Sequence, residues 1–249
     1  MVNSRINCLS PVPILTYHQV AEAPVKGTAF RSLSVAPADF RRQMAFLHGL
    51  GYQGLSMTAL QPFLKGERQG KVFGITFDDG YLNNLTHALP VLQQYGFSST
   101  CYVVSGLLGQ TNVWDREQGI PPSELMSATH VRQWVAGGQE VGAHTRNHVH
   151  LTRLDADVCR QEIALCKDEL EQTVGGAVNH FCYPYGEFAP EHVAMVLQAN
   201  YQSATTTRRG RCHLGDRMLE LPRVPVLRRT GRLLLWWKLV SRYEDRRRE

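Results

Sequence analysis

Val72-Phe-Gly-Ile-Thr-Phe-Asp78-Asp79-Gly80-Tyr81 decides the reading of this chain. A short, largely apolar run reaches two adjacent carboxylates and a glycine, the pattern of a buried parallel strand that stops at a turn. Asp78 and Asp79 therefore stand at the carboxyl end of the strand, where α/β folds keep their chemistry. Neighbouring carboxylates repel, so keeping both ionised requires a cation or hydrogen-bond donors. A bare Asp-Asp-Gly is most often a solvated turn. What gives this one weight is His144-Thr-Arg-Asn-His148, at the end of a second strand-like run. Two His four residues apart plus one carboxylate form a three-ligand set for a zinc-type ion, leaving a coordination position open.

Working outward, the remaining segments alternate. Pro13–His18 reads as a first strand delivering His18 to its end, and Phe40, Met44 and Leu47 recur at helical spacing before Gly51. Leu85, Leu89 and Leu92 mark a helix that Pro90 must kink or delay. Strand 97–104 is followed by a long loop, 106–122, of the kind that borders binding sites. Ser127 caps a helix carrying Val131, Trp134 and Val135, and residues 140–143 form a strand into the His144 loop. Asp155 opens a helix through Thr173, with Val158, Leu165, Cys166 and Leu170 expected on the core side. Strand 180–183, helix 190–199 and strand 201–206 complete the series. Alternation of this kind means parallel βαβ units, in either a barrel or an open doubly wound sheet.

The 249 residues, 43% hydrophobic and 20% charged, suffice for one large core. The first twenty residues hold no apolar stretch of signal-peptide length, and no segment approaches the ~20 apolar residues of a membrane span. The expectation is a cytoplasmic protein. Cys8, Cys101, Cys159, Cys166, Cys182 and Cys212 show neither CxxC pairs nor the density of a disulfide scaffold. The net charge of +5 is uneven: residues 208–249 hold 13 Arg and Lys against 5 Asp and Glu, a local excess of +8. Leu233-Leu-Leu-Trp-Trp-Lys-Leu-Val240, followed by Arg242 and Arg246–Arg248, is basic and amphipathic. It suits either packing on the barrel or peripheral contact with an anionic membrane face. No nucleic-acid partner is expected.

Taken in order, Thr76-Phe-Asp-Asp-Gly80, His144-Thr-Arg-Asn-His148 and Tyr183-Pro-Tyr-Gly186 resemble the motifs of the polysaccharide deacetylases of carbohydrate esterase family 4, the NodB-type domain. The resemblance runs from about Pro13 to Val226. It implies an α/β fold, a single-domain distorted (β/α) barrel with seven strands. Residues 13–230 would form the domain, 1–12 an N-terminal extension and 231–249 a basic C-terminal segment. It implies hydrolysis of N-acetyl groups on N-acetylhexosamine units of a polysaccharide, oligosaccharide or lipid-linked glycan.

By match to the motifs, Asp79, His144 and His148 would bind a divalent metal, with Zn favoured and Co, Ni or Fe compatible. Asp78 would be the general base, and the Tyr185 backbone N–H would face the oxyanion. Tyr183 and Pro184 would shape the substrate groove. Many relatives place an Arg three residues before the position of Tyr185, to hold the catalytic Asp; here that position is Cys182, and Arg223 is the candidate substitute. The usual C-terminal Leu-x-x-His motif is not recognisable. Tyr17-His18 resembles the arrangement of the poly-β-1,6-N-acetylglucosamine deacetylases, which makes His18 the candidate acid, across the metal from Asp78. His213 is its rival, and His150 reads as peripheral. Two other classes fit the fold: a non-catalytic carbohydrate-binding relative, and a metal-dependent amidohydrolase acting on a non-sugar amide.

Overall fold

The computed structural model describes residues 10–248. In chain order it contains β1 (Ile14–Tyr17), β2 (Gln19–Val20), β3 (Ser34–Val35), α1 (Pro37–Gly49), β4 (Gln53–Leu55), α2 (Met57–Leu64) and β5 (Val72–Phe77). Then come α3 (Leu89–Gln94), β6 (Thr100–Val103), α4 (Ala128–Ala136), β7 (Glu140–Ala143), α5 (Ala156–Val174) and β8 (His180–Cys182). The series ends with α6 (Pro190–Gln198), β9 (Ser203–Arg209), β10 (Leu221–Pro225) and α7 (Arg232–Val240).

Seven parallel strands close on themselves in the order β1-β5-β6-β7-β8-β9-β10, with β10 returning to β1. This is the expected (β/α) barrel; closure excludes the open sheet. The eighth strand, β4, pairs with the first half of β5, and β6 pairs with its end. All six residues of β5 are buried, as a strand covered on both faces requires.

Packing falls into two layers. The larger cluster fills the space between strands and helices, with Phe40, Phe73, Phe77, Trp134 and Phe181 at its centre. A smaller one joins Ile14, Val72, Tyr102 and Cys182 to Met57 and Leu60 of α2. The N-terminal end of α2 lies over the first residues of β6, β7 and β8: the Met57 N–H donates to Thr100 Oγ1 (2.8 Å), and Thr58 meets Glu140 and His180. One end of the barrel is thus plugged. Gly142 faces Tyr102 across the strand pair, and a Cβ there would fall 2.4 Å from the Tyr102 ring, so glycine makes room for the aromatic filling.

Several expectations need correction. On α5 the buried positions are Cys159, Glu162, Ile163, Cys166 and Leu170, whereas Val158 and Leu165 are exposed. The inward stripe is rotated because Glu162 turns in to bind the His144 loop. Pro90 delays the helix rather than kinking it, one of the two outcomes expected: a π-turn over Asn84–Ala88 precedes α3, and Pro90 occupies the first turn of α3. The seventh strand, β10, gave no strand signal because Pro222 and Pro225 interrupt it. Its register shifts between Leu221 and Arg223, which is how a closed barrel accommodates Pro222. Cys101, Cys159, Cys166, Cys182 and Cys212 are free and buried, and Cys8 lies outside the described residues. Among the described residues no helix is long and apolar enough to cross a membrane.

The basic C-terminal segment is anchored. Leu235 and Leu239 join the main core. Glu244, fully buried, accepts from Arg209 Nε (2.7 Å) and pairs with Lys238 Nζ (2.9 Å), and Asp245 pairs with Arg211 at 2.6 Å.

Candidate metal-centred active site

The two carboxylates of the Asp-Asp pair point into different surroundings. The β5 strand ends at Phe77, and Asp79 then adopts φ 73°, a left-handed conformation rare for a non-glycine residue. That turn separates the two side chains. Asp78 meets Arg223 in a two-pronged ion pair, Nη1 to Oδ1 and Nη2 to Oδ2, both 2.7 Å. Asp79 Oδ1 instead lies 3.3 Å from His144 Nε2 and 3.3 Å from His148 Nε2.

Arg223 is itself fixed on every side. Its Nε donates to the Thr206 carbonyl (2.9 Å), Nη1 to Thr76 Oγ1 (3.1 Å) and Nη2 to Cys182 Sγ (3.2 Å). Burial alone would raise the Asp78 pKa, but the Arg223 charge and hydrogen bonds outweigh it and hold the carboxyl below its ordinary range.

The His144 loop is built to aim imidazoles. His144 Nδ1 donates to the Cys182 carbonyl (2.8 Å), because a carbonyl only accepts; this leaves the Nε2 lone pair facing Asp79. His148 Nδ1 meets the Tyr185 hydroxyl at 3.2 Å, orienting its ring the same way. Thr145 (φ 59°) and His148 (φ 54°) hold left-handed turns. Glu162 of α5 stabilises them, accepting from the Asn147 backbone N–H (2.9 Å) and side-chain amide (2.6 Å). Trp114 stacks on the His148 ring at 4.3 Å.

These three side chains fit a divalent cation. Their donor atoms lie within 4.8 Å of one another, and a tetrahedral ion with bonds of about 2.1 Å would hold its donors about 3.4 Å apart. A carboxylate oxygen facing imidazole lone pairs is favourable only with positive charge between them. Asp78, His144 and Cys182 also cluster, but Arg223 already occupies both Asp78 oxygens and the thiol, which leaves no room for an ion there.

The site opens into a cavity of about 740 Å³ at the carboxyl end of the strands. His18, Tyr183, Tyr185 and Arg223 line it, with Pro184 buried behind. The Tyr183 hydroxyl donates to the Leu219 carbonyl, so its ring is a fixed wall. Tyr185 stands at φ 58°, and Gly186 beside it has no space for a side chain, since a Cβ would meet Thr207 Oγ1 at 1.9 Å. His18 is beside Asp78, Nε2 to Oδ2 3.9 Å, rather than opposite it. The reason is register: Tyr17 pairs with Phe77, and both functional residues follow by one. His213 is not among the cavity residues; it pairs with Asp245 at 3.5 Å. His150 pairs with Glu187 and stacks on Tyr185 at 3.8 Å.

Sequence reading missed Trp114, Asp115 and Tyr81, all in the cavity wall. Asp115 accepts from the Asn112 amide (2.9 Å), and burial raises its pKa. Burial, with the nearby Asp79 and Asp115 carboxylates, pushes the Tyr81 phenol up. The long loop was recognisable as a site border, but which of its residues face inward was not.

A model of the polysaccharide deacetylase family matches residues 65–204, more than half of the chain. The chain belongs to the polysaccharide deacetylase family. YxkH of Bacillus subtilis (strain 168), whose name places it among polysaccharide deacetylases, is 27% identical over 217 residues, covering 86% of this chain and 71% of that one. The structure of the Streptococcus pyogenes deacetylase PplD, in complex with acetate, superposes with a TM-score of 0.81 at 25% identity, covering 93% of this chain and 99% of that one. BC0361, a polysaccharide deacetylase from Bacillus cereus, gives 0.77 at 26% identity, covering 92% of this chain and 69% of that one. IcaB from Ammonifex degensii shares the fold, with a TM-score of 0.78 at 23% identity over 92% of this chain and 97% of that one. The protein is thus a polysaccharide deacetylase with a glycan substrate. The family match begins after His18 and ends before Arg223, so their roles rest on geometry.

Proposed function

We propose that this deacetylase hydrolyses the N-acetyl groups of N-acetylhexosamine units with a divalent metal held by Asp79, His144 and His148. The observation that carries the reading is the division of labour between adjacent carboxylates: Asp78 is paired with Arg223 through one hydrogen bond per oxygen, while Asp79 faces two imidazoles whose other nitrogens are already engaged. When bound, the ion would polarise the acetamide carbonyl and acidify water, with Zn the best match to two imidazoles and one carboxylate. The chain supplies the rest. Asp78, fixed in its ionised form by Arg223, accepts the proton of the attacking water. The Tyr185 N–H, on a backbone turned by φ 58°, donates to the oxygen that gains charge. His18, on the cavity wall, protonates the departing amine. Because His18 Nε2 is 3.9 Å from Asp78 Oδ2, the proton taken by one can be returned through the other.

The deciding experiment is acetate release from defined N-acetylglucosamine oligomers and glycolipids after chelation and metal add-back. Activity that returns with Zn, Co, Ni or Fe supports the reading; full activity in the metal-free protein refutes it.

A further inference from the structure

The helix α7 carries two apolar stripes, and only one of them is used by the core. Leu235 and Leu239 are buried, and Lys238 between them reaches Glu244 and the Pro225 carbonyl. The opposite stripe, at positions 233, 236, 237 and 240, follows the i, i+3, i+4, i+7 spacing of a second helix face. Leu233 is 67% exposed, Trp237 51%, Val240 39% and Trp236 38%, with Leu234 beside them at 38%. Two neighbouring Trp on a solvent-facing stripe cost free energy unless something covers them.

The charges around the stripe have one sign. Arg229, Arg232, Arg242, Arg246 and Arg247 are exposed, and none of them takes part in an ion pair among the described residues. The acids of the segment are withdrawn: Glu244 is buried against Arg209 and Lys238, and Asp245 is paired with Arg211. From Val226 to Arg248 the described residues expose no carboxylate as a counterweight. The chain enters this segment from the wall of the active site. Pro225, the last residue of β10, lines the cavity, and the Arg228 N–H donates to the carbonyl of Ser32 (2.8 Å), next to the cavity residue Leu33.

We infer that the outward face of α7 docks on an anionic lipid bilayer, Trp236, Trp237 and Leu233 entering the headgroup boundary while the arginines bind lipid phosphates. Nine helical residues extend about 14 Å, less than half the ~30 Å hydrocarbon core, so the contact is peripheral and reversible.

The test is co-sedimentation of the full chain with phosphatidylglycerol-containing vesicles and with pure phosphatidylcholine vesicles, across a salt series. Two variants accompany it, Trp236→Ser/Trp237→Ser and Arg229→Gln/Arg232→Gln/Arg242→Gln, neither of which touches the cavity wall. Expected is binding to the anionic vesicles at low salt, fading as screening shortens the range of the charges. The serine variant should lose it, and the glutamine variant should bind about 100-fold more weakly, at about fivefold per arginine. Both should keep wild-type acetate release from soluble oligosaccharides, so the result stands apart from the deacetylase reading. Absence of binding at low salt, equal binding to both vesicle types, or unchanged binding by both variants would overturn the inference. So would a concentration-dependent dimer abolished by the serine variant, which would show that a second copy covers the stripe.

Discussion

Arg223 reaches over β1 from β10 to Asp78 at the end of β5, 145 residues away in sequence, and meets both carboxylate oxygens at 2.7 Å. Both partners are almost wholly buried, so each compensates a charge the other could not keep alone. Cys182 stands where a shorter route to the Asp would start, and its thiol accepts a hydrogen bond from the same guanidinium. Arg223→Lys should keep the charge and lose the fork, lowering kcat about 10²-fold or more with metal content unchanged. Arg223→Ala should also cost about 3–5 kcal/mol of stability, read by thermal or denaturant unfolding. Wild-type turnover in the lysine variant would show that the two-pronged geometry is dispensable.

Removal of the metal ligands should separate binding from folding. His144→Ala and His148→Ala are each expected to lose bound metal and activity together. The His144 variant should stay folded, because its ring packs at the cavity wall, outside the apolar clusters, and makes one hydrogen bond, to the Cys182 carbonyl. Metal analysis beside circular dichroism checks both points. A His144 variant that holds stoichiometric metal would remove that residue from the ligand set.

Asp78→Asn should behave in the opposite way, keeping metal and losing turnover by about 10²–10⁴-fold, the scale of a positioned acid or base. Single-turnover acetate release on a metal-loaded sample is the measurement. A rate near wild type would move the base to another residue.

Two histidines were rivals for the acid; His18 lines the cavity and His213 does not. His18→Ala should depress turnover with metal content intact, whereas His213→Ala should change it little, since His213 is engaged with Asp245 outside the cavity. The reverse order in side-by-side kinetics would reject His18.

The plugged end of the barrel predicts an acid-linked loss of stability. Burial would raise the Glu140 pKa, but His180 and the hydroxyls of Thr100 and Thr58 bring it down to about 2, from 4.5. A depressed carboxyl contributes stability in full above about pH 4.5 and loses it as the pH falls toward 2. Glu140→Gln should therefore destabilise by about 1–3 kcal/mol at neutral pH, with a difference that narrows through that window. Denaturant melts at several pH values follow this directly; a difference independent of pH would assign the effect to packing.

What the sequence determined by itself was local. The run Val72–Phe77 is apolar except for Thr76 and stops at Asp-Asp-Gly, so a strand ending in two carboxylates is written in consecutive residues. The spacing of His144 and His148 gave a ligand pair without any knowledge of the loop between them. Alternating strand and helix signals gave parallel units, while closure into a barrel was carried only by resemblance. Tertiary structure decided the rest. β10 was hidden by its two prolines, because a strand inside a closed barrel can use a bulge to absorb a missing N–H, and no local pattern announces that. Without β10 there is no reason to send Arg223 to Asp78, and the guanidinium's role depends on a contact between distant strands. The inward turn of Glu162, the stacking of Trp114 on His148 and the outward face of Trp236 and Trp237 are of the same kind. Periodicity says that a helix or loop has two faces; only the packing of its neighbours says which face they cover.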